Sequence, residues 1–379
     1  MNASILVDVL MDSGIDFFTG VPDSFLKGLC DELYGRFGTE SVHHIVAHNE
    51  GGAVGLCAGH YLATGKPALC YMQNSGLGNA VNPLASLMDP RVYGLPCLLV
   101  VGWRGEPGTK DEPQHVMQGE ITLGQLDLLG IPWKILDSDT TEKQFRNDFG
   151  ELEKYLSAGK CAALVVKKGA LVSSFRPDYS NHYAMRREKA AEILLASMGE
   201  QDVVVSTTGK LSREIFEIRE RNGGLHDHDF LTVGSMGHAS MIALGMAEAL
   251  PGRRIWCLDG DGAVLMHMGA LPVIGKRSPA RFVHVVINNG AHETVGGMPV
   301  CSGGLNLRKE AEAAGYAGVL SADSEETLKA ALKSITDIEA NGPVLLEVCC
   351  ACGARGDLGR PSTTPKENRD ALMKFITKS

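Results

Sequence analysis

Ile255-Trp256-Cys257-Leu258-Asp259-Gly260-Asp261-Gly262 joins a short apolar run to a glycine-flanked acidic turn, and a helical segment is expected to begin near Ala263. The run reads as a buried strand, which places Asp261 at its carboxyl end. The pattern recurs at the distance of one helix and one strand, where Phe282-Val283-His284-Val285-Val286-Ile287 ends in Asn288-Asn289-Gly290. Buried strands joined by a helical crossover lie parallel, so both polar ends reach one sheet edge. In open parallel sheets that edge is where ligands bind.

The same alternation runs outward in both directions. Upstream, Asp16-Phe17-Phe18-Thr19, His44-Ile45-Val46-Ala47, Ala68-Leu69-Cys70-Tyr71-Met72, Cys97-Leu98-Leu99-Val100-Val101 and Ala163-Leu164-Val165-Val166 alternate with segments of helical spacing. Ser173 to His182 breaks this rhythm with polar and turn-forming residues, and Arg186-Arg187-Glu188-Lys189 starts a new helix. The alternation then resumes from Asp202-Val203-Val204-Val205-Ser206 to Val344-Leu345-Leu346-Glu347-Val348. The expected fold class is α/β, with two doubly wound parallel-sheet domains at 1–172 and 190–379 and a linker at 173–189. No fixed-period repeat is visible, which argues against a solenoid.

Bulk properties narrow the function. A 379-residue chain with 45 glycines and only 6% aromatic residues suits an α/β enzyme with many tight turns. A net charge of -9 without a long basic run argues against nucleic acid, whose affinity comes from lysine and arginine on phosphates. Asp8 interrupts the N-terminal apolar run too early for a signal peptide, and no uncharged apolar stretch approaches the roughly 20 residues that a membrane span needs. A cytoplasmic location, with no membrane partner, is the default expectation. Cys349-Cys350-Cys352 lacks a second pair at zinc-site spacing, and the remaining seven of ten cysteines are scattered in apolar surroundings, as reduced core residues are.

Gly260-Asp261-Gly262 and Asn288-Asn289 are ordinary turn sequences when taken singly; their separation by one crossover gives them weight. Magnesium takes an octahedron of oxygens, which Asp261, Asn289 and the carbonyl of Ala291 could share with two diphosphate oxygens and a water. The glycines allow the backbone to approach a diphosphate closely.

This pair of motifs resembles the signature of the thiamine diphosphate-dependent 2-oxoacid decarboxylases. The resemblance implies a thiamine diphosphate-binding fold in both domains, with a pyrimidine-binding domain first and a diphosphate-binding domain second. It implies that Glu50, in His48-Asn49-Glu50-Gly51-Gly52, activates the cofactor at its aminopyrimidine, and that Met236, in Gly234-Ser235-Met236-Gly237, props the cofactor in its bent form. Ser235 and the Thr207-Thr208-Gly209 strand end join the cofactor site, Thr208 and Gly209 toward the diphosphate. In the family the active site is shared between subunits, so a homodimer or larger homo-oligomer is implied.

Across both halves the chain looks like the compact decarboxylases of phosphonopyruvate and sulfopyruvate, closer to the former at Gly20-Val21-Pro22-Asp23-Ser24, Gly102-Trp103-Arg104-Gly105-Glu106 and Asp357-Leu358-Gly359-Arg360-Pro361. The implied reaction is magnesium-dependent decarboxylation of an anionic 2-oxoacid, 3-phosphonopyruvate, to phosphonoacetaldehyde. Asp23, His115 and His292 are the candidates for proton handling. Asp23, Ser24, Arg104, His115, Arg355 and Arg360 are the candidates for holding substrate, the last two arginines in a late segment expected to be flexible. Sulfopyruvate decarboxylation stays open as the alternative, as does a non-catalytic cofactor-binding subunit, although Glu50 weighs against the latter. A nicotinamide enzyme is disfavoured because Gly76-Leu77-Gly78 lacks the third glycine of the dinucleotide pattern.

Overall fold

The strands are β1 (Phe18–Gly20), β2 (His44–Val46), β3 (Ala68–Gln73), β4 (Cys97–Gly102), β5 (Trp133–Leu136), β6 (Ala162–Val166), β7 (Val203–Ser206), β8 (Asp229–Leu231), β9 (Ile255–Gly260), β10 (Phe282–Asn288), β11 (Ala291–His292), β12 (Met298–Pro299), β13 (Gly318–Ala322) and β14 (Val344–Cys349). They belong to a computed structural model that describes residues 1–39, 41–224, 226–301 and 304–378. The chain divides into two units, Met1–Asp178 and Tyr179–Ser379.

Each unit holds one six-stranded sheet, ordered β2-β1-β3-β4-β6-β5 in the first and β13-β14-β10-β9-β7-β8 in the second. Every pairing in both sheets is parallel. Read from β8, the second order repeats the first strand for strand. Chain direction across the sheet reverses between β1 and β3 in one unit and between β7 and β9 in the other. Such switch points open a crevice at the carboxyl ends of the strands. The α/β class with two doubly wound parallel sheets is therefore what the chain forms.

The central strands are nearly all apolar because helices cover both faces. In the second unit Trp256, Leu258, Val283, Val285 and Ile287 enter one core, while Ile255, Cys257, Phe282 and Val286 enter the other. Their order follows the two-residue period of a strand. All ten cysteines are free thiols.

Five strands escaped the sequence reading: the two-residue β11 and β12, and, within the six-stranded sheets, β5, β8 and β13. These last are the ones that a longer pattern could have shown. All three are sheet edges, and in β5 and β13 most residues are only half-buried. An edge strand needs no continuous apolar run, so its pattern is weak. The first strand lies at Phe18–Gly20, shifted toward the glycine from the expected Asp16–Thr19. The single helix expected after Gly262 is two, Asp261–Met266 and Ala270–Arg277, interrupted where His267 leaves helical geometry at φ -136°.

Candidate active site

In the second unit the crevice is lined by the loops after β7, β8, β9 and β10. Asp261 opens the helix that follows β9, so its carboxylate sits at the strand end. Its Oδ1 accepts the N–H of Gly262 at 2.8 Å and its Oδ2 accepts the N–H of Gly290 at 2.7 Å. The two polar turns are thus in direct contact.

Asn289 is buried beside Asp261 and held on several sides. Its Oδ1 accepts the N–H of Ala291 at 3.1 Å, its Nδ2 donates to Glu293 at 3.0 Å, and its carbonyl accepts Nδ2 of Asn181 at 3.0 Å. Among the described residues Asp261 has no basic partner, and burial pushes its carboxyl up to about 6 against the backbone N–H bonds from Gly262 and Gly290. A carboxylate buried without a countercharge is a natural seat for a cation. Asp261, the amide of Asn289 and the carbonyl of Ala291 would supply oxygens of the kind that magnesium takes.

Below the acidic turn lies a bracing chain of buried polar groups that the sequence reading passed over. Asp259 accepts the N–H of Gly260 at 2.9 Å and lies 3.6 Å from Nε2 of His284, whose Nδ1 is 3.0 Å from the Tyr316 hydroxyl. Cys257 and His284 are direct partners in the β9–β10 register, so the chain spans both strands whose ends form the site.

Above the turn, the remaining cofactor candidates gather. The Thr208 hydroxyl accepts the N–H of Gly234 at 3.0 Å, tying the loops after β7 and β8 together. Ser235 takes a left-handed φ of 49°, unusual for a residue with a side chain and a mark of local strain. A Cβ added to Gly262 would lie 3.5 Å from both Met236 and His292 and 3.3 Å from Val300, so only glycine leaves the full space between them. Burial holds the His292 imidazole down at about 4. Gly209 caps the helix Lys210–Arg221, and Lys210 lies 3.4 Å from Glu293. Lys210 and Glu293 were not singled out in the sequence, where nothing but their places after a strand end marked them.

Arg355 is tied down, in contrast to the flexible segment expected there: it forms ion pairs with Glu188, Glu217 and Asp357. Gly359 also donates its N–H to Glu217 at 2.5 Å. Arg360 is exposed.

In the first unit, Glu50 begins the helix Glu50–Thr64, whose N-cap Asn49 accepts the N–H of Gly52 at 2.7 Å. The Glu50 side chain is buried, and its Oε2 accepts Nδ2 of Asn79 at 2.8 Å. The loops after β1, β3 and β4 form a second polar cluster. Asp23 is fully buried, accepting Nε2 of Gln73 at 2.6 Å and the N–H of Phe25 at 2.9 Å. Arg104 donates to Ser24 at 3.0 Å and makes a two-pronged contact with Asp111 at 2.8 and 2.5 Å. His115 reaches the same Asp111 through Nδ1 at 3.0 Å.

Asp23, Ser24, Arg104 and His115 thus belong to one neighbourhood, and its organiser, Asp111, was missed. Burial opposes the Asp111 charge, but hydrogen bonds from Arg104, His115 and the N–H groups of Glu112 and Gly105 outweigh it and hold the carboxyl well below the usual carboxylate range. Gly105, at φ +69°, lets the loop lie against the helix Pro113–Leu128, where any Cβ would meet the His115 carbonyl at 1.9 Å.

Residues 2–128 match the thiamine pyrophosphate enzyme N-terminal TPP binding domain, and residues 207–348 match the C-terminal TPP binding domain. Phosphonopyruvate decarboxylase of Streptomyces viridochromogenes is 35% identical, with 100% of this chain and 95% of that protein covered. The enzyme of the same name from Streptomyces hygroscopicus is 32% identical, covering 100% and 94%. Sulfopyruvate decarboxylase of Methanosarcina acetivorans is 28% identical, covering 78% of each chain. The chain belongs to the phosphonopyruvate decarboxylase family of thiamine pyrophosphate enzymes.

Proposed function

We propose that this protein decarboxylates 3-phosphonopyruvate to phosphonoacetaldehyde and carbon dioxide, with thiamine diphosphate and magnesium, as a step in phosphonate biosynthesis of the 2-aminoethylphosphonate type. The observation that carries the reading is the presence in one chain of a cation seat, Asp261 against the Asn289-Gly290 turn, and a buried helix-start carboxylate, Glu50. The two full-length relatives named phosphonopyruvate decarboxylase support the substrate. A cytoplasmic homodimer or larger homo-oligomer completes the proposal.

Asp261, Asn289 and the Ala291 carbonyl would hold magnesium, and Thr208, Gly209 and Ser235 would hold the diphosphate. Met236, beside Gly262, would support the cofactor's bent form. When bound, thiamine diphosphate supplies the electron sink for the pair released as carbon dioxide leaves. Asn79 holds one oxygen of Glu50, which leaves Oε1 to hold and return a proton at the aminopyrimidine. The buried Asp23 and His115 would handle the proton that replaces the lost carboxylate. Ser24 and Arg104 offer donors to the substrate's anionic groups.

The test is conversion of 3-phosphonopyruvate by the purified protein supplied with both cofactors. Phosphonoacetaldehyde and carbon dioxide in equal amounts are expected, and the absence of both refutes the proposal. Sulfopyruvate decarboxylation is kept as a second reading because of the Methanosarcina relative.

A further inference from the structure

Asp111 is saturated. Its Oδ1 accepts Nη2 of Arg104, Nδ1 of His115 and the N–H of Glu112, while its Oδ2 accepts Nε of Arg104 and the N–H of Gly105. A carboxylate offers about four lone-pair directions. With all of them engaged, Asp111 has nothing left for a substrate or a transferable proton. Whatever it does, it does through Arg104 and His115.

Its grip decides what those two side chains can still offer. Arg104 spends its Nε and one Nη2 hydrogen on Asp111 and one Nη1 hydrogen on Ser24, which leaves one hydrogen on each terminal nitrogen, along the outer edge of the guanidinium. That edge suits a two-pronged bond to a carboxylate or phosphonate. The Phe25 ring, 4.8 Å from the guanidinium carbon, steadies its plane. His115 donates Nδ1–H to Asp111, which fixes the tautomer and leaves Nε2 without a partner among the described residues. The Arg104–Asp111 pair is neutral overall and the Asp23 carboxylate also acts on Arg104, so an anion bound here would be held by aimed donors rather than by net charge.

We propose that Asp111 is the positioning residue of the oxoacid pocket, aiming the outer edge of Arg104 with Ser24 at one anionic group of the substrate and fixing His115 with Nε2 as its proton-handling atom. The inference rests on the decarboxylase reading above and deepens it: Arg104 governs binding, His115 governs turnover, and one buried carboxylate couples them.

The test is steady-state kinetics of the holoenzyme on phosphonopyruvate for the wild type, D111N, H115N and the double variant, with melting temperature and thiamine diphosphate affinity measured alongside. In D111N, KM rises and kcat falls, each by about tenfold, while cofactor affinity stays within about twofold. In the H115N background the D111N effect on kcat shrinks to less than about threefold, because the residues act as one unit, whereas the effect on KM persists. Wild-type kinetics in D111N, or a kcat loss undiminished in the H115N background, overturns the proposal. Should D111N not fold, D111E decides: its extra methylene displaces both partners, so KM must rise and kcat must fall there too, and wild-type kinetics overturns the proposal. Failure of the wild type to release carbon dioxide from any 2-oxoacid with both cofactors present removes the decarboxylase reading itself. An active wild type with an unaffected D111N removes only this inference.

Discussion

The Oδ2 atom of Asp261 accepts the backbone N–H of Gly290 at 2.7 Å across 29 positions of sequence, joining the ends of β9 and β10. The contact holds a buried carboxylate against a turn that also carries oxygen acceptors, an arrangement that a bound cation would balance. Thiamine diphosphate with magnesium should therefore raise the melting temperature, and a chelator should abolish the rise. Ligand at about 100 times its Kd contributes about 2.7 kcal/mol. D261A should show no magnesium-dependent shift, as followed by thermal unfolding with and without each cofactor. An unchanged shift in D261A would move the cation elsewhere.

Glu50 and Asn79 make a separate claim, about activation. E50Q should lower kcat by at least about 100-fold, the scale of a lost proton-transfer group. Cofactor affinity should change only a few-fold. N79A should lower kcat by about tenfold, since it frees the carboxylate without removing it. Titration of cofactor binding beside single-turnover rates separates the two effects.

The buried Arg187–Glu214 pair, with both hydrogen bonds at 2.7 Å, carries structure rather than chemistry. R187M would leave Glu214 buried without a countercharge and should destabilise the fold by about 3–5 kcal/mol. Urea unfolding measures it. A loss below about 1 kcal/mol would mean that Glu214 finds another partner or takes a proton.

His44 gives a pH dependence with a definite sign. Burial lowers its imidazole to about 4, and the neutral ring donates Nδ1–H to the Gly38 carbonyl while Nε2 accepts from the Tyr71 hydroxyl. The unfolded ring titrates near 6.5, so between pH 6.5 and pH 4 the unfolded chain binds a proton that the fold refuses. The stability from this group is full above pH 6.5 and is lost as pH falls through that window. From pH 7 to pH 5 the wild type should lose about 2 kcal/mol more than H44Q, as measured by denaturant unfolding. Equal losses would contradict the assignment.

The core of each sheet was legible because a strand covered on both faces must be apolar throughout; β3, β4, β6, β9 and β10 announce themselves in that way. The edge strands β5 and β13 did not, since their half-buried residues break the apolar run, and neither did β8, whose three residues include the buried Asp229 held by Arg219. The site was legible where backbone geometry constrains residue type, as at Gly260-Asp261-Gly262 and Asn288-Asn289-Gly290. Asp111, Glu293 and His284 were not, because their importance lies in partners brought close only by folding. Arg355 shows the converse: as a sequence it is a mobile cation, and its partners Glu188 and Glu217 lie more than 130 positions upstream.

The most direct measurement is carbon dioxide release from phosphonopyruvate, sulfopyruvate and pyruvate, each with and without thiamine diphosphate and magnesium. The account requires turnover that depends on both cofactors and is fastest, by kcat/KM, on phosphonopyruvate. Preference for sulfopyruvate would contradict the substrate assignment, and turnover of none of the three would contradict the decarboxylase itself.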